Sequence, residues 1–176
     1  DDGRGRKTTA FPRLDIQTAP YLLEQLKAYA GGGRGSGFMQ AATAELSEEE
    51  MAWLAAHYAR RAVTGPATSA ATATRTAVTA DASYWEGEAL FRGGAPELGV
   101  PACAACHGAR AAGRDPRYPA LLGQYAPHTT TQLELFKQGK RSATEASRLM
   151  ATIAGRMTDA QIHSVAAYLA GQPAGD

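Results

Sequence analysis

The stretch CAACHG, residues 103–108, contains both cysteines of the 176-residue chain, and a histidine directly follows the second one. Three kinds of site use such residues: a redox dithiol, a structural zinc centre, and covalent attachment of haem c through Cys-x-x-Cys-His. The dithiol is typical of a βαβ unit, but the surrounding sequence has no strand pattern. Zinc requires four ligands, and no second pair of closely spaced ligands exists. The pattern therefore favours haem attachment at Cys103 and Cys106, with the other two sites as alternatives.

Haem attachment would also assign axial ligands to the iron. The two cysteines would form thioether bonds with the porphyrin, and His107 would bind the iron from one side. A methionine ligand on the other side raises the reduction potential and suits electron transfer. We expect Met150 in this role, because it falls in a segment predicted to be irregular, whereas Met157 occupies an ordinary core position. Either methionine could simply fill the core, and His128 and His163 are further candidates, the latter on the polar side of its predicted helix.

Bulk composition excludes some functions. Lysine and arginine number 18 and aspartate and glutamate 17, a net charge of +1, which gives no electrostatic case for nucleic acid or an anionic membrane surface. No apolar run approaches the ~20 residues that cross a bilayer. The first residue is Asp1 and not methionine, which suggests processing or trimming of the chain.

Two parts of the chain resemble each other. The segment FPRLDIQTAPYLLEQLKAYAGG begins at Phe11, and YPALLGQYAPHTTTQLELFKQG begins at Tyr118. Identical residues recur at an offset of 107, and after a four-residue insertion similar residues recur at an offset of 111. The ordered series of matches predicts an internal duplication. The pairs are Pro12/Pro119, Leu14/Leu121, Gln17/Gln124, Ala19/Ala126, Pro20/Pro127, Gln25/Gln132, Leu26/Leu133, Arg34/Arg141, Met39/Met150, Leu46/Met157 and Ser47/Thr158.

Helix signals recur in both copies. Ser47 with Glu50, and Thr158 with Gln161, have the spacing of capping boxes, and apolar residues follow each at i, i+3, i+4 and i+7. Pro20 indicates the first turn of another helix. SYWEGEALFRGG, residues 83–94, is typical of a short helix ended by glycine. With no strand signal in competition, the sequence predicts an all-α fold.

The Ala/Thr-rich segment 62–82 separates the copies. Because it has few large apolar groups and a Gly-Pro break, it predicts an extended linker, with a poorly formed helix as the alternative. We therefore expect a domain over 1–61, the linker over 62–82 and a second domain over 83–176.

The second copy resembles a known family. VPACAACHGARAAGRDPRYPALLGQYAPHTTTQLELFKQGKR, then Met150 and MTDAQIHSVAAYLAG, is similar to one domain of the di-haem class I cytochromes c of the c-four type. The similarity covers 83–171, and 9–60 resembles a partial first domain. It implies two tandem class I cytochrome c-like domains, the first incomplete. It also implies haem c on Cys103 and Cys106, axial His107 and Met150, and a Pro119 carbonyl that accepts a hydrogen bond from the histidine. The further pocket residues implied are Tyr118, Leu121, Gln124, Leu133, Phe136 and Arg141.

The first copy departs from that family because it lacks Cys-x-x-Cys-His. An offset of 107 places the counterpart of His107 at position zero, and DDGRGR resembles the residues that come directly after a haem motif in this family. Either the natural chain extends upstream and carries a first haem site, or this domain is degenerate and Met39 is a stranded ligand or part of another metal site. The first explanation is favoured, because Met39 and its flanks keep the repeated pattern.

The resemblance implies a periplasmic carrier of single electrons and not an enzyme. Its partners would be a quinol-oxidising cytochrome complex and a terminal oxidase. The alternative is a cytochrome subunit of an oxidoreductase, such as a flavocytochrome c sulfide dehydrogenase, with a flavoprotein as partner. A peroxidase-like haem with an open iron site is a third hypothesis, and it requires that Met150 does not bind.

Overall fold

The computed structural model describes residues 2–6, 11–63, 82–114 and 116–172. Most of the predicted linker, residues 64–81, lies outside the described residues. The described part is helical, without extended strands, as the sequence predicts. Its elements are α1 (Ala19–Ala30), α2 (Met39–Thr43), α3 (Glu48–Ala59), a 3₁₀ turn (Arg60–Val63), α4 (Ala82–Gly93), a 3₁₀ turn (Pro96–Leu98), α5 (Cys103–His107), α6 (Ala126–Lys137), α7 (Glu145–Arg156) and α8 (Asp159–Gly171). Among the described helices, none has the length and apolar character needed to span a bilayer.

Side-chain caps start the helices where the sequence predicts them. Ser47 accepts a hydrogen bond from the Glu50 amide, and the Glu50 carboxylate accepts from the Ser47 amide, which begins α3. Thr158 and Gln161 form the same arrangement at α8. Each cap satisfies two amides that have no partner inside the helix.

The core of the second half forms where α4 packs on α8. Gly87 of α4 allows this close approach, because a Cβ atom there would overlap the Ser164 carbonyl group of α8. Large side chains of both helices are almost fully buried around this contact: Phe91, Ile162, Val165, Tyr168 and Leu169.

The prediction that Met150 lies in an irregular segment is wrong. Met150 lies within α7, a helix of 12 residues. Thr144 begins this helix, because its hydroxyl accepts from the Ser147 amide while the Ser147 hydroxyl accepts from the Thr144 amide. Its repeat counterpart Met39 is the first residue of the short helix α2.

The same loop precedes α1 in the first half and α6 in the second half. The amides of Leu14 and Asp15 both donate to the Gly3 carbonyl, and the amides of the next copy, Leu121 and Leu122, both donate to the Ala111 carbonyl. Gly3 and Ala111 have positive φ angles, of 74° and 55°. The offset is therefore 108 at Gly3 and Ala111 but 107 at Leu14 and Leu121, because the first copy has one extra residue between Gly3 and Leu14. This corrects the expected counterpart of His107 by one position.

Candidate functional site

Both cysteines lie on α5, a single helical turn that ends at Gly108 with a positive φ of 84°. Their i, i+3 spacing brings the two sulfur atoms to one side of the turn. Neither is in a disulfide, and both are partly buried. Burial raises the pKa of Cys103 to about 11, so this group is a neutral thiol at pH 7. The turn thus presents two closely spaced thiols toward one ligand.

His107 ends the same turn and is buried. Its Nδ1–H donates to the Pro119 carbonyl oxygen at 2.9 Å. Burial lowers the pKa of His107, and the hydrogen bond only partly opposes that effect. The imidazole is therefore neutral at pH 7, and within the described residues its Nε2 makes no hydrogen bond. A ligating histidine needs this state: one nitrogen held by a carbonyl and a lone pair on the other.

One cavity brings together all the site residues predicted for the second half. Its empty space, including the part open to solvent, is about 1410 Å³. Met39 is not among the residues that line it. The predicted residues in its wall are Cys103, Cys106, His107, Tyr118, Pro119, Leu121, Gln124, Leu133, Phe136, Arg141 and Met150.

The other ligand candidates differ in position. Met157 reaches the cavity, but it is only 4% exposed and belongs to the hydrophobic core, as its repeat position suggests. His128 also lines the cavity. His163 is exposed, and its Nδ1 bonds the Asp159 carbonyl one turn earlier, so it lies outside the site.

Two buried arginines lie in the cavity wall, and the sequence predicted only one of them. Arg141 was expected in the pocket, but Arg34 of the first half lies in the same wall. Arg34 donates to the side-chain oxygens of Gln25 and Gln132, and Arg141 donates to the same two oxygens and to the Tyr21 hydroxyl. Burial, followed by the charge of Arg141, lowers the pKa of Arg34. Within the described ranges neither guanidinium forms an ion pair.

These arginines fit a ligand with negative groups. Arg34 Nε and Thr129 Oγ1 are both buried without a hydrogen-bond partner among the described residues, and both residues line the cavity. Buried cations and polar atoms are normally paired. Two guanidiniums without carboxylates are therefore suited to an anionic group such as a porphyrin propionate.

The set of donors fits haem better than the alternatives. Two thiols, a neutral imidazole, a methionine thioether and a largely apolar wall are the groups that a covalently attached porphyrin requires. The described residues contain no group of three or more histidine, cysteine or acidic side chains placed to hold a metal ion. Cys103, Cys106 and His107 therefore do not form part of a complete zinc site in this part of the chain.

Comparison with known proteins identifies the family. The family model described as Cytochrome c matches residues 85–172. A "Thiosulfate dehydrogenase electron acceptor" of Thiomonas intermedia (strain K12) is 37% identical over 97% of this chain and 75% of that protein. A "Cytochrome c4" of Pseudomonas aeruginosa is 32% identical over 92% of the chain and 75% of that protein.

The chain belongs to the cytochrome c family. The crystal structure of reduced recombinant cytochrome c4 from Pseudomonas stutzeri superposes with a TM-score of 0.79 at 28% identity, over 97% of this chain and 89% of that one. This cytochrome is therefore of the c4 type, and its all-α fold is similar to that of cytochromes c4, which have tandem cytochrome c domains. It binds haem c and carries electrons, as the sequence predicts. The zinc and dithiol alternatives are wrong.

Proposed function

We propose that this cytochrome passes single electrons through haem c attached at Cys103 and Cys106, with His107 and Met150 as axial ligands. The observation that carries the proposal is the neutral His107. Its Nδ1–H is held by Pro119, and its free Nε2 belongs to a side chain that lines the same cavity as Met150. When bound, haem supplies a one-electron ferrous/ferric couple.

The residues around the cavity would perform three tasks. Pro119 holds the imidazole ring in one orientation and makes Nε2 a stronger donor. Apolar side chains such as Leu121, Leu133 and Phe136 keep water away from the metal, which tunes its potential. Arg141 lies 4.4 Å above the centre of the Phe136 ring and would neutralise a carboxylate without leaving the wall.

The first half would form the other domain of the pair. The boundaries proposed are 1–61 and 83–176. Met39, at the start of α2, keeps the repeat position of Met150 and is our candidate for a ligand of a first haem. Support for this role is the repeat itself, together with the shared loop at Gly3 and Ala111.

The first experiment tests the axial ligand. Met150→Ala should abolish the weak long-wavelength absorption band of methionine-ligated ferric haem and lower the midpoint potential, because a soft thioether favours the ferrous state. Haem should remain covalently attached, since the cysteines are intact. Met39→Ala is the matched control and should leave the spectrum of this haem unchanged. An unaltered band in Met150→Ala would remove Met150 from the ligand set.

Location and partners form the finer part of the proposal. Attachment of haem c outside the bacterial cytoplasm supports the periplasm. The sequence suggests exchange with a quinol-oxidising complex, a terminal oxidase or a sulfide-oxidising flavoprotein. The Thiomonas relative, 37% identical over 97% of the chain, instead favours a thiosulfate dehydrogenase as the electron donor.

The second experiment tests that donor. Oxidised cytochrome is mixed with a thiosulfate dehydrogenase and thiosulfate, and its reduction is followed by absorbance. We expect rapid reduction that requires both enzyme and thiosulfate. A parallel reaction uses a flavin-containing sulfide dehydrogenase with sulfide. Faster reduction in the parallel reaction would contradict the thiosulfate proposal while leaving the electron-carrier function intact.

A further inference from the structure

The peptide group between Pro119 and Ala120 is hydrogen-bonded at both ends. Its carbonyl oxygen, on Pro119, accepts from His107 Nδ1–H at 2.9 Å. Its N–H, on Ala120, donates to the side-chain oxygen of Gln17 at 3.2 Å. The same glutamine also donates from Nε2 to the Ala120 carbonyl at 2.7 Å. Gln17 belongs to the first half of the chain and is only 8% exposed.

We propose that Gln17 is a positioning residue for the haem of the other half. It acts on the iron through the Pro119–Ala120 peptide and the imidazole of His107. The inference rests on the proposed function, since it requires His107 to bind iron.

The physical link is polarisation along a chain of hydrogen bonds. A peptide whose N–H is bonded has a more negative carbonyl oxygen, and neighbouring hydrogen bonds in a buried site strengthen one another by ~10–30%. A stronger acceptor on Nδ1–H makes the imidazole a more basic ligand. A more basic ligand favours ferric over ferrous iron, so Gln17 lowers the potential.

The bonds also restrict the position of the peptide. Gln17 contacts both polar atoms of Ala120, which is 6% exposed and belongs to the core. Two bonds to one residue oppose rotation of the adjacent peptide plane. The Pro119 carbonyl is therefore held in a fixed direction toward His107.

The repeat contains the reciprocal contact. Gln124, the counterpart of Gln17, accepts from the Arg13 amide at 3.0 Å and donates to the Arg13 carbonyl at 3.0 Å. The Arg13 amide belongs to the Pro12–Arg13 peptide, which is the counterpart of Pro119–Ala120. Each half thus holds the prolyl peptide of the other, which argues against an incidental contact at Gln17.

The competing explanation is that Gln17 only joins the halves. Tyr125→Phe is the control for loss of a cross-half bond, because the Tyr125 hydroxyl donates across the halves to the Arg4 carbonyl at 2.7 Å. This substitution removes a cross-half bond without touching the Pro119–Ala120 peptide. Gln17 lines the cavity and Tyr125 does not, so the His107 Nδ1–H resonance is the readout that separates an effect through the peptide from a direct effect on the haem.

The experiment compares the full haem-loaded chain with Gln17→Met, Gln17→Glu and Tyr125→Phe. The readouts are the midpoint potential of the haem at Cys103 and Cys106, and the proton resonance of His107 Nδ1–H in the diamagnetic ferrous protein. Gln17→Met should shift the potential upward, move the resonance upfield and speed its exchange with solvent. Gln17→Glu keeps an acceptor for the Ala120 amide, so in this variant the His107 Nδ1–H resonance should not move upfield. Tyr125→Phe should leave the resonance in place.

Two results would overturn the inference. The first is an unchanged potential and resonance in Gln17→Met while the spectrum shows His107 still bound. The second is an equal shift in Gln17→Met and Tyr125→Phe, which would reduce Gln17 to a structural contact. Failure of the proposed function looks different: the wild-type spectrum would lack a histidine ligand from His107 altogether.

Discussion

Within the described residues the two halves of this cytochrome share a repeat, but only the second includes a helix that covers its last helix. In the second half α8 is covered by α4, and Ile162 and Phe91 are at most 1% exposed. In the first half the corresponding helix α3 contacts α1, and within the described residues it has no counterpart of α4. Trp53 of α3 is 59% exposed, whereas Ser164, at the matching position of α8, is 4% exposed against α4. In the second half the covering helix α4 therefore contributes much of the core around α8.

The largest expected difference is in the stability lost when one phenylalanine in each half is replaced by alanine. Phe91→Ala should lower the free energy of unfolding by about 3–5 kcal/mol, because it leaves a cavity under α4. Phe38→Ala, at a side chain that is 68% exposed, should change it by less than about 0.5 kcal/mol. Chemical denaturation of both variants measures the difference. Equal losses would mean that the halves do not differ in core packing as described.

Substitutions of two glycines of the second half should change the free energy of unfolding by smaller amounts. Gly87→Ala should destabilise the protein by about 1–3 kcal/mol, because the added methyl group overlaps the Ser164 carbonyl and separates α4 from α8. Gly155→Ala on α7, where nothing lies within 4 Å of the new Cβ, should stabilise by up to ~1 kcal/mol through helix propensity. Thermal unfolding of the two variants should shift in opposite directions. A stabilising Gly87→Ala would contradict the close approach of the helices.

The smallest expected effect is a loss of stability at acid pH, caused by His107 in the second half. The pKa of His107 is lowered in the folded protein, so as the pH falls through about 6.5 the unfolded chain binds a proton before the folded one does. The free energy of unfolding should then fall by at most about 1.4 kcal/mol per pH unit, and the fall should stop below the folded pKa. Denaturation of the haem-free protein, in which no iron competes for Nε2, measures it at several pH values.

The control for this pH dependence lies in the first half. His57→Gln removes the histidine of that half and should keep the acid-dependent loss, because the loss comes from His107. If the substitution abolished the loss, the titration would belong to the first half instead.

Much of the helical fold could be predicted because its signals are local. Ser47, Thr158 and Pro20 begin helices through contacts within a turn, so sequence spacing is enough to find them. The start of α7 was missed since Thr144 and Ser147 cap it with two hydroxyls, a composition that loops share. Met150 was therefore assigned to a loop, although it lies in the cavity wall with the other predicted site residues.

The cross-half contacts could not be predicted in the same way, because they join residues about a hundred positions apart. A signal was present nonetheless. Gln17, Gln25 and Arg34 recur as Gln124, Gln132 and Arg141. Polar residues kept in both copies are suited to a reciprocal interface, in which a residue of one copy makes the same contact with the other copy that its counterpart makes in return. The family resemblance implies pocket roles for Gln124 and Arg141 and none for the other four residues. Long-range reciprocity is visible only once the halves are placed together.

The arginine pair between the halves has a consequence for how the molecule responds to salt. Arg34 and Arg141 are bound by neutral amides in a buried position, where dissolved ions screen charges only weakly. Exposed pairs such as Lys27–Glu48 are open to that screening. A change in ionic strength should therefore alter the rate of association with a redox partner. The contacts that join the two halves should stay the same.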